Sequence, residues 1–172
     1  KKILVMLSEW GYWGEELIGP LDVLTNAGYT LDFMTAFGRK PPALPPSMEE
    51  GYLDPPLNKV VTDAHFAKRT TEVHESNLLS KPINLSEKLS LMPYFNGQNF
   101  GLDLAAFHDR REEFWKEFVD PYDALLLPGG SGPMVDMVNN ERLHNLILGY
   151  VNRNKLIAAE CYCVTCLAFA RE

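Results

Sequence analysis

The sequence predicts an α/β domain built on a doubly wound, mostly parallel sheet sandwiched by helices. Three observations carry this. Lys2 to Ser8 is a largely apolar run suited to a strand buried on both faces, as parallel sheets require. The first forty residues read strand, helix, strand, a βαβ opening. The chain then returns, late, to a strand, a strongly amphipathic helix and a strand between residues 122 and 159.

The elements follow in order. Residues 15–27 form the first helix, with Leu17, Leu21 and Leu24 on one face, Pro20 tolerated near the first turn and Gly28 as the C-terminal stop. Thr30 to Ala36 is the second strand. Pro41, Pro42, Pro45, Pro46, Pro55 and Pro56 bar regular helix or central strand from residues 40–57, which are expected to wrap the surface. Residues 64–79 and 103–118 have helical character, the second through Phe107, Arg111, Phe114, Trp115 and Phe118. Because α/β connections are usually far shorter, residues 40–120 are expected to be a Pro-rich and helical cap inserted into a single domain spanning 1–172.

Tyr122 to Leu127 resumes the core and ends in Pro128, Gly129 and Gly130. Asn140 caps the next helix, whose Leu143, Leu146, Ile147, Tyr150 and Val151 form the cleanest apolar stripe in the chain. Residues 155–159 are the last strand, and a helix launched at Cys161 has reached only 170–172 where the sequence stops. No further strand completes the sheet, so the C-terminal part of the fold is expected on the rest of a longer protein or on a second polypeptide.

Composition narrows the function. A formal charge of −7 and a pI near 5.1 disfavour nucleic acid and anionic membranes as partners, since both need a basic surface. No apolar run approaches the roughly eighteen residues of a membrane span, and residues 1–7 are too short for a signal peptide, so a cytoplasmic location is expected. Cys161, Cys163 and Cys166 are an odd, crowded set, unlike a secreted disulfide framework. A fourth ligand is missing nearby, so no metal site is expected, nor any other cofactor.

The strand ending before Cys161 turns directly into a new apolar stretch, the pattern of a nucleophile elbow, where a helix N-terminus stabilises a thiolate. Cys163 and Cys166 have spacing suited to helix packing instead. Gly129 and Gly130, with the Tyr162 amide, can supply an oxyanion hole. Trp10, Tyr12 and Trp13 sit at the carboxyl end of the first strand, where aromatic residues wall small-molecule pockets; Trp10 and Trp13, with Ser131, are the expected pocket residues. Glu160 precedes the thiol, and strand alternation points it away; a twisted strand end would make it a second acid.

GluGluLeuIleGlyProLeuAspVal at 15–23, LeuProGlyGlySerGlyProMetValAspMet at 127–137 and AlaAlaGluCysTyrCys at 158–163 together resemble the ThiJ/PfpI superfamily, the group that includes the Parkinsonism-associated deglycase. The form of the 128–134 segment and the long insertion look closest to its larger branch, heat-shock chaperones with glyoxalase III activity. The resemblance implies a flavodoxin-like, class I glutamine-amidotransferase-like fold with Cys161 as nucleophile and Glu16, four residues before Pro20, as the acid beside it. It also implies a cofactor-independent cysteine enzyme acting on a small electrophile, by glyoxalase III-like hydration of a reactive dicarbonyl or a related hydratase or hydrolase reaction. A holding chaperone or cysteine redox sensor without turnover, and an amidase or glutaminase, are the alternatives. A homodimer or higher oligomer is expected. Many relatives carry histidine directly after the nucleophile, where this chain has Tyr162, and His65, His74, His108 and His144 match no motif, so they are expected to be surface or cap residues.

Overall fold

The computed structural model describes residues 1–95 and 98–171, so the last residue of the stretch read as helical from Cys161 to 172 lies outside the described residues. Strands β1 (Lys2–Met6), β2 (Thr30–Thr35), β5 (Ile83–Asn84), β6 (Ala124–Leu127) and β7 (Leu156–Ala159) form one sheet in the order β5-β2-β1-β6-β7. Every pairing within it is parallel. A separate antiparallel hairpin joins β3 (Leu53–Asp54) to β4 (Lys59–Val60).

Period-2 alternation sends the residues of β1 to two cores. Ile3, Val5 and Leu7 meet Leu17, Ile18 and Leu21 of α1 (Gly14–Asn26) and Val73 of α2 (Ala64–Glu75). Leu4 and Met6 meet the opposite layer, made chiefly by α4 (Phe100–Phe118) and α6 (Glu141–Asn152). Burying each such side chain contributes about 1.5–3 kcal/mol, so a strand buried on both faces stabilises two cores at once.

The predicted caps hold. Asn140 accepts from the amides of Arg142 and Leu143, and Gly28, at φ +79°, ends α1 in the left-handed region. Pro20 lies past the first turn of α1 and has no N–H to give the Glu16 carbonyl. Val151, expected on the buried stripe of α6, is 55% exposed, because the buried face of the last turn is taken by Gly149 and Tyr150 and the stripe drifts away from Val151.

Much of the 40–120 stretch belongs to the domain itself and does not sit over it as a cap. α2 packs on α1, β5 extends the sheet beside β2, and Phe107, Phe114, Trp115 and Phe118 of α4 enter the same core as Leu125 and Leu127. The physical reason is the apolar face of α4, which only the sheet can cover. The proline-rich part behaves differently: a 3-10 turn at Pro45–Met48 and the β3–β4 hairpin run over the surface. The last strand forms where expected: β7 lies at the edge of the sheet among the described residues, and its Leu156 is 68% exposed.

Gly149 shows how tightly α6 packs on α4. A Cβ there would stand 2.5 Å from Trp115 Cδ1 and Nε1, and Nε1 donates to the Asn145 carbonyl at 2.8 Å. Gly149→Ala is therefore expected to cost about 1–3 kcal/mol through overpacking, against the gain of about 1 kcal/mol usual at an open helical site. Denaturant unfolding of the two proteins measures it, and a midpoint that rises would contradict the packing.

Candidate active site

The loops leaving β1 and β6 meet over the carboxyl ends of the strands. Trp13 N donates to the Gly129 carbonyl at 3.1 Å, while Ser8 Oγ and the Glu9 amide donate to the two oxygens of Asp136 at 2.6 and 2.8 Å. The first contact delivers α1, which opens at Gly14, with Glu16 in its first turn facing the β6 loop. Glu16 Oε2 accepts from the Gly129 amide at 2.7 Å, and the Cys161 thiol lies within hydrogen-bonding reach of the same carboxyl.

Cys161 arrives from the other side. β7 is held in register to β6 by the Leu127–Ala159 pairing, and the Glu160 amide donates to the Leu127 carbonyl at 3.1 Å. The chain then bends sharply: Cys161 has φ +50° and leads through a 3-10 turn at Cys161–Cys163 into α7 (Val164–Phe169). A non-glycine residue in the left-handed region costs energy and persists only where its surroundings impose it, a mark of nucleophile elbows.

The three cysteines separate by environment. Cys161 is exposed, whereas Cys163 and Cys166 are buried. Cys163 Sγ donates to the Pro128 carbonyl at 3.0 Å, and its hydrogen bond with Cys166 followed by burial pushes its pKa far up, so it stays a thiol.

Gly129 sits where these groups converge. A Cβ there would lie 2.6 Å from the Glu160 carbonyl oxygen, 2.8 Å from Cys161 Cβ and 2.8 Å from Glu16 Oε2, so any side chain would push acid and thiol apart. Gly130 has φ +98° and its amide has no protein acceptor among the described residues, leaving it with the Tyr162 amide as the available donor pair. The Gly129 amide is not available as a third, because Glu16 takes it.

A cavity of about 460 Å³ opens over Cys161. Trp13, Glu16, Gly130, Ser131 and Tyr162 line it, as does Glu15 beside Glu16. Leu44, Pro46, Asp54 and Val61 close it from the proline-rich stretch, and sequence reasoning missed all four because irregular loops carry no periodicity to read. Trp10 is not in this cavity. Gly11, at φ +121°, reverses the chain after it, so that Tyr12 enters the core, Trp13 faces the thiol and Trp10 lines a separate groove with Phe37 and Val135. Glu160 is half-buried and also off the cavity wall.

Burial raises the pKa of Glu16 above the ordinary carboxylate range, opposed by the Gly129 amide and the thiol, which favour the charged form. Glu160 is raised too, by burial first and then by the charges of Glu16 and Glu15. None of the four histidines lines the cavity: His74 Nδ1 accepts from the Ala43 amide at 3.2 Å, and His144 Nε2 donates to the Val138 carbonyl at 2.9 Å. Among the described residues, no three His, Cys, Asp or Glu side chains group as metal ligands, and no helix is long and apolar enough to cross a membrane.

Two outcomes are expected. In the folded protein iodoacetamide should modify Cys161 alone, with Cys163 and Cys166 reacting only after denaturation, as peptide mass mapping would show. The second concerns pH. Because the fold raises the Glu16 pKa, its contribution to stability is present at low pH and is lost as the pH rises through the folded value. Glu16→Gln, uncharged throughout, escapes that loss, so its Tm should exceed the parent's at pH 7 and the two should converge near pH 4.

The model for ThiJ/PfpI family-like proteins matches residues 7–172. Among solved structures, the Rapid Encystment Protein 24 KDa of Francisella tularensis is 20% identical at a TM-score of 0.60, covering 100% of this chain and 63% of its own. A ThiJ/PfpI domain protein from Brachyspira murdochii is 15% identical at 0.54, covering 98% and 63%. A two-domain protein from Anabaena variabilis, with a ThiJ/PfpI-like and a ferritin-like domain, is 15% identical at 0.52, covering 99% and 33%. Identities this low speak for the fold alone, and the chain spans 61 to 63% of the length of the first solved structures it matches. A comparison with curated proteins finds no match. With the family model spanning all but the first six residues, and a strained cysteine elbow facing a first-turn glutamate on a parallel sheet, the chain belongs to the ThiJ/PfpI-like family.

Proposed function

We propose that the protein is a cofactor-independent cysteine enzyme that adds the Cys161 sulfur to a small electrophilic carbonyl and turns a 2-oxoaldehyde into a 2-hydroxy acid by net addition of water. One observation carries the reading: an exposed thiol in a strained turn, within hydrogen-bonding reach of a carboxyl whose pKa burial has raised, on the wall of an open cavity.

The chemistry follows from what each group can do. The Cys161 thiol passes its proton to the Glu16 carboxylate, which later returns it, and the sulfur bonds to the aldehyde carbon, whose oxygen takes the electron pair and is met by the Gly130 and Tyr162 amides. Reprotonation of that oxygen gives a hemithioacetal. Hydration of an oxoaldehyde to a hydroxy acid next needs the hydrogen on the former aldehyde carbon to move to its neighbour. Glu16, beside the sulfur, can take it as a base and return it to the second carbon as an acid, while the hydroxyl proton passes from the first oxygen to the second, leaving a 2-hydroxy thioester on Cys161. Water then cleaves the thioester, restoring the thiol and releasing the hydroxy acid.

Methylglyoxal serves as the probe, with lactate as the product measured. Cys161→Ser is expected to abolish turnover, and Glu16→Gln to reduce kcat by about 10²- to 10⁴-fold, the usual worth of a positioned acid or base. Turnover unchanged by either substitution would overturn the proposal. Suppression of client aggregation that ignores both substitutions, with no lactate formed, would favour a holding chaperone instead.

A further inference from the structure

Among the described residues, the walls of the Cys161 cavity carry three carboxylates, Glu15, Glu16 and Asp54, and no lysine, arginine or histidine. Asp54 belongs to the β3–β4 hairpin, where its Oδ1 accepts from the Leu57 amide at 2.8 Å and fixes the turn. Basic residues on neighbouring segments have partners elsewhere. Arg69 pairs with Asp22 and Glu72, Arg39 with Glu9, and Lys40 donates to the Ser76 carbonyl. Lys59 is the cross-strand partner of Asp54, but it is exposed and lies off the cavity wall. Two aromatic side chains, Trp13 and Tyr162, complete the surroundings of the sulfur, and aromatic faces attract cations.

We infer that this cavity selects a small electrophile carrying a positive charge and turns away those bearing carboxylate or phosphate, with Asp54 and Glu15 as the residues that read the charge. The inference rests on Cys161 being the nucleophile of the proposed reaction and adds the substrate class. A concave site lined by one sign of charge focuses the field and concentrates counter-ions, here ammonium-like groups. The field of Glu15 and Glu16 is strong enough at the elbow to be felt by Glu160, one residue from the sulfur. The same walls repel an anionic hydroxy acid once it forms, which favours its release.

Three methanethiosulfonates test this without relying on turnover: trimethylammonioethyl, methyl and sulfonatoethyl. Each converts Cys161 to a mixed disulfide and releases methanesulfinate, so intact mass gives the rate, normalised to that of the same reagent with free 2-mercaptoethanol. The cationic reagent is expected to outpace the anionic one by about 10- to 10³-fold at low salt. Screening should narrow the gap at about 0.5 M salt, where the Debye length falls to a few ångströms. Glu15→Gln combined with Asp54→Asn should bring the ratio towards one. A normalised ratio at or below one in the parent, or a ratio the double substitution leaves unchanged, overturns the inference alone. Resistance of Cys161 to all three reagents overturns it together with the nucleophile on which it rests.

Discussion

The site depends on one close approach between two loops, which only glycine permits. A Cβ on Gly132 would fall 2.2 Å from the Gly11 carbonyl oxygen and 2.5 Å from Ser8 Oγ, and one on Gly130 would fall 2.6 Å from the Trp13 amide. Such distances leave no room for adjustment, because the opposing atoms are mostly backbone. With side chains absent, the loop after β1 settles directly on the loop after β6, and Asp136 ties them through Ser8 and Glu9. Everything chemical follows from that contact: it sets where α1 begins, hence where Glu16 points, and it leaves Gly129 as the thin partition across which carboxyl and sulfur meet.

The elbow is imposed in the same manner, by bonds on either side of the strained residue. β7 is anchored to β6 up to Ala159, and the Cys163 amide and thiol donate to the carbonyls of Glu160 and Pro128. Left-handed backbone at a non-glycine residue costs on the order of 1–3 kcal/mol, which these contacts must offset. Cys163 thus has a structural role two residues from the nucleophile, and its high pKa suits that role, since an ionised sulfur would lose its hydrogen bond to Pro128.

Much of this was legible in the sequence where the physics is local. Apolar runs, the Asn140 cap, Gly28 and the cysteine ending a strand each report short-range constraints, and the order of elements follows from them. What was illegible depends on tertiary context. Trp10 and Trp13 are three residues apart with similar side chains, yet the positive φ of Gly11 sends them to different cavities, and a lone glycine does not announce its φ. Asp54 joins the cavity wall from a surface hairpin that no periodicity in the sequence announces. α4 reads as a capping helix until the sheet is known to need a cover for Leu125 and Leu127.

Glu16 is the point where these constraints become chemistry. Its carboxyl faces opposing influences: burial and the neighbouring Glu15 favour the proton, while the Gly129 amide and the thiol favour its loss. A carboxyl fully committed to either form would be useless for moving a proton both ways within one turnover, since it could give or take but not both. Losing the Gly129 hydrogen bond would favour the protonated form further, and exposing the carboxyl to water would favour its ionisation. The glycine partition preserves the balance, because it is thin enough to place an N–H on the carboxyl while keeping the sulfur against it.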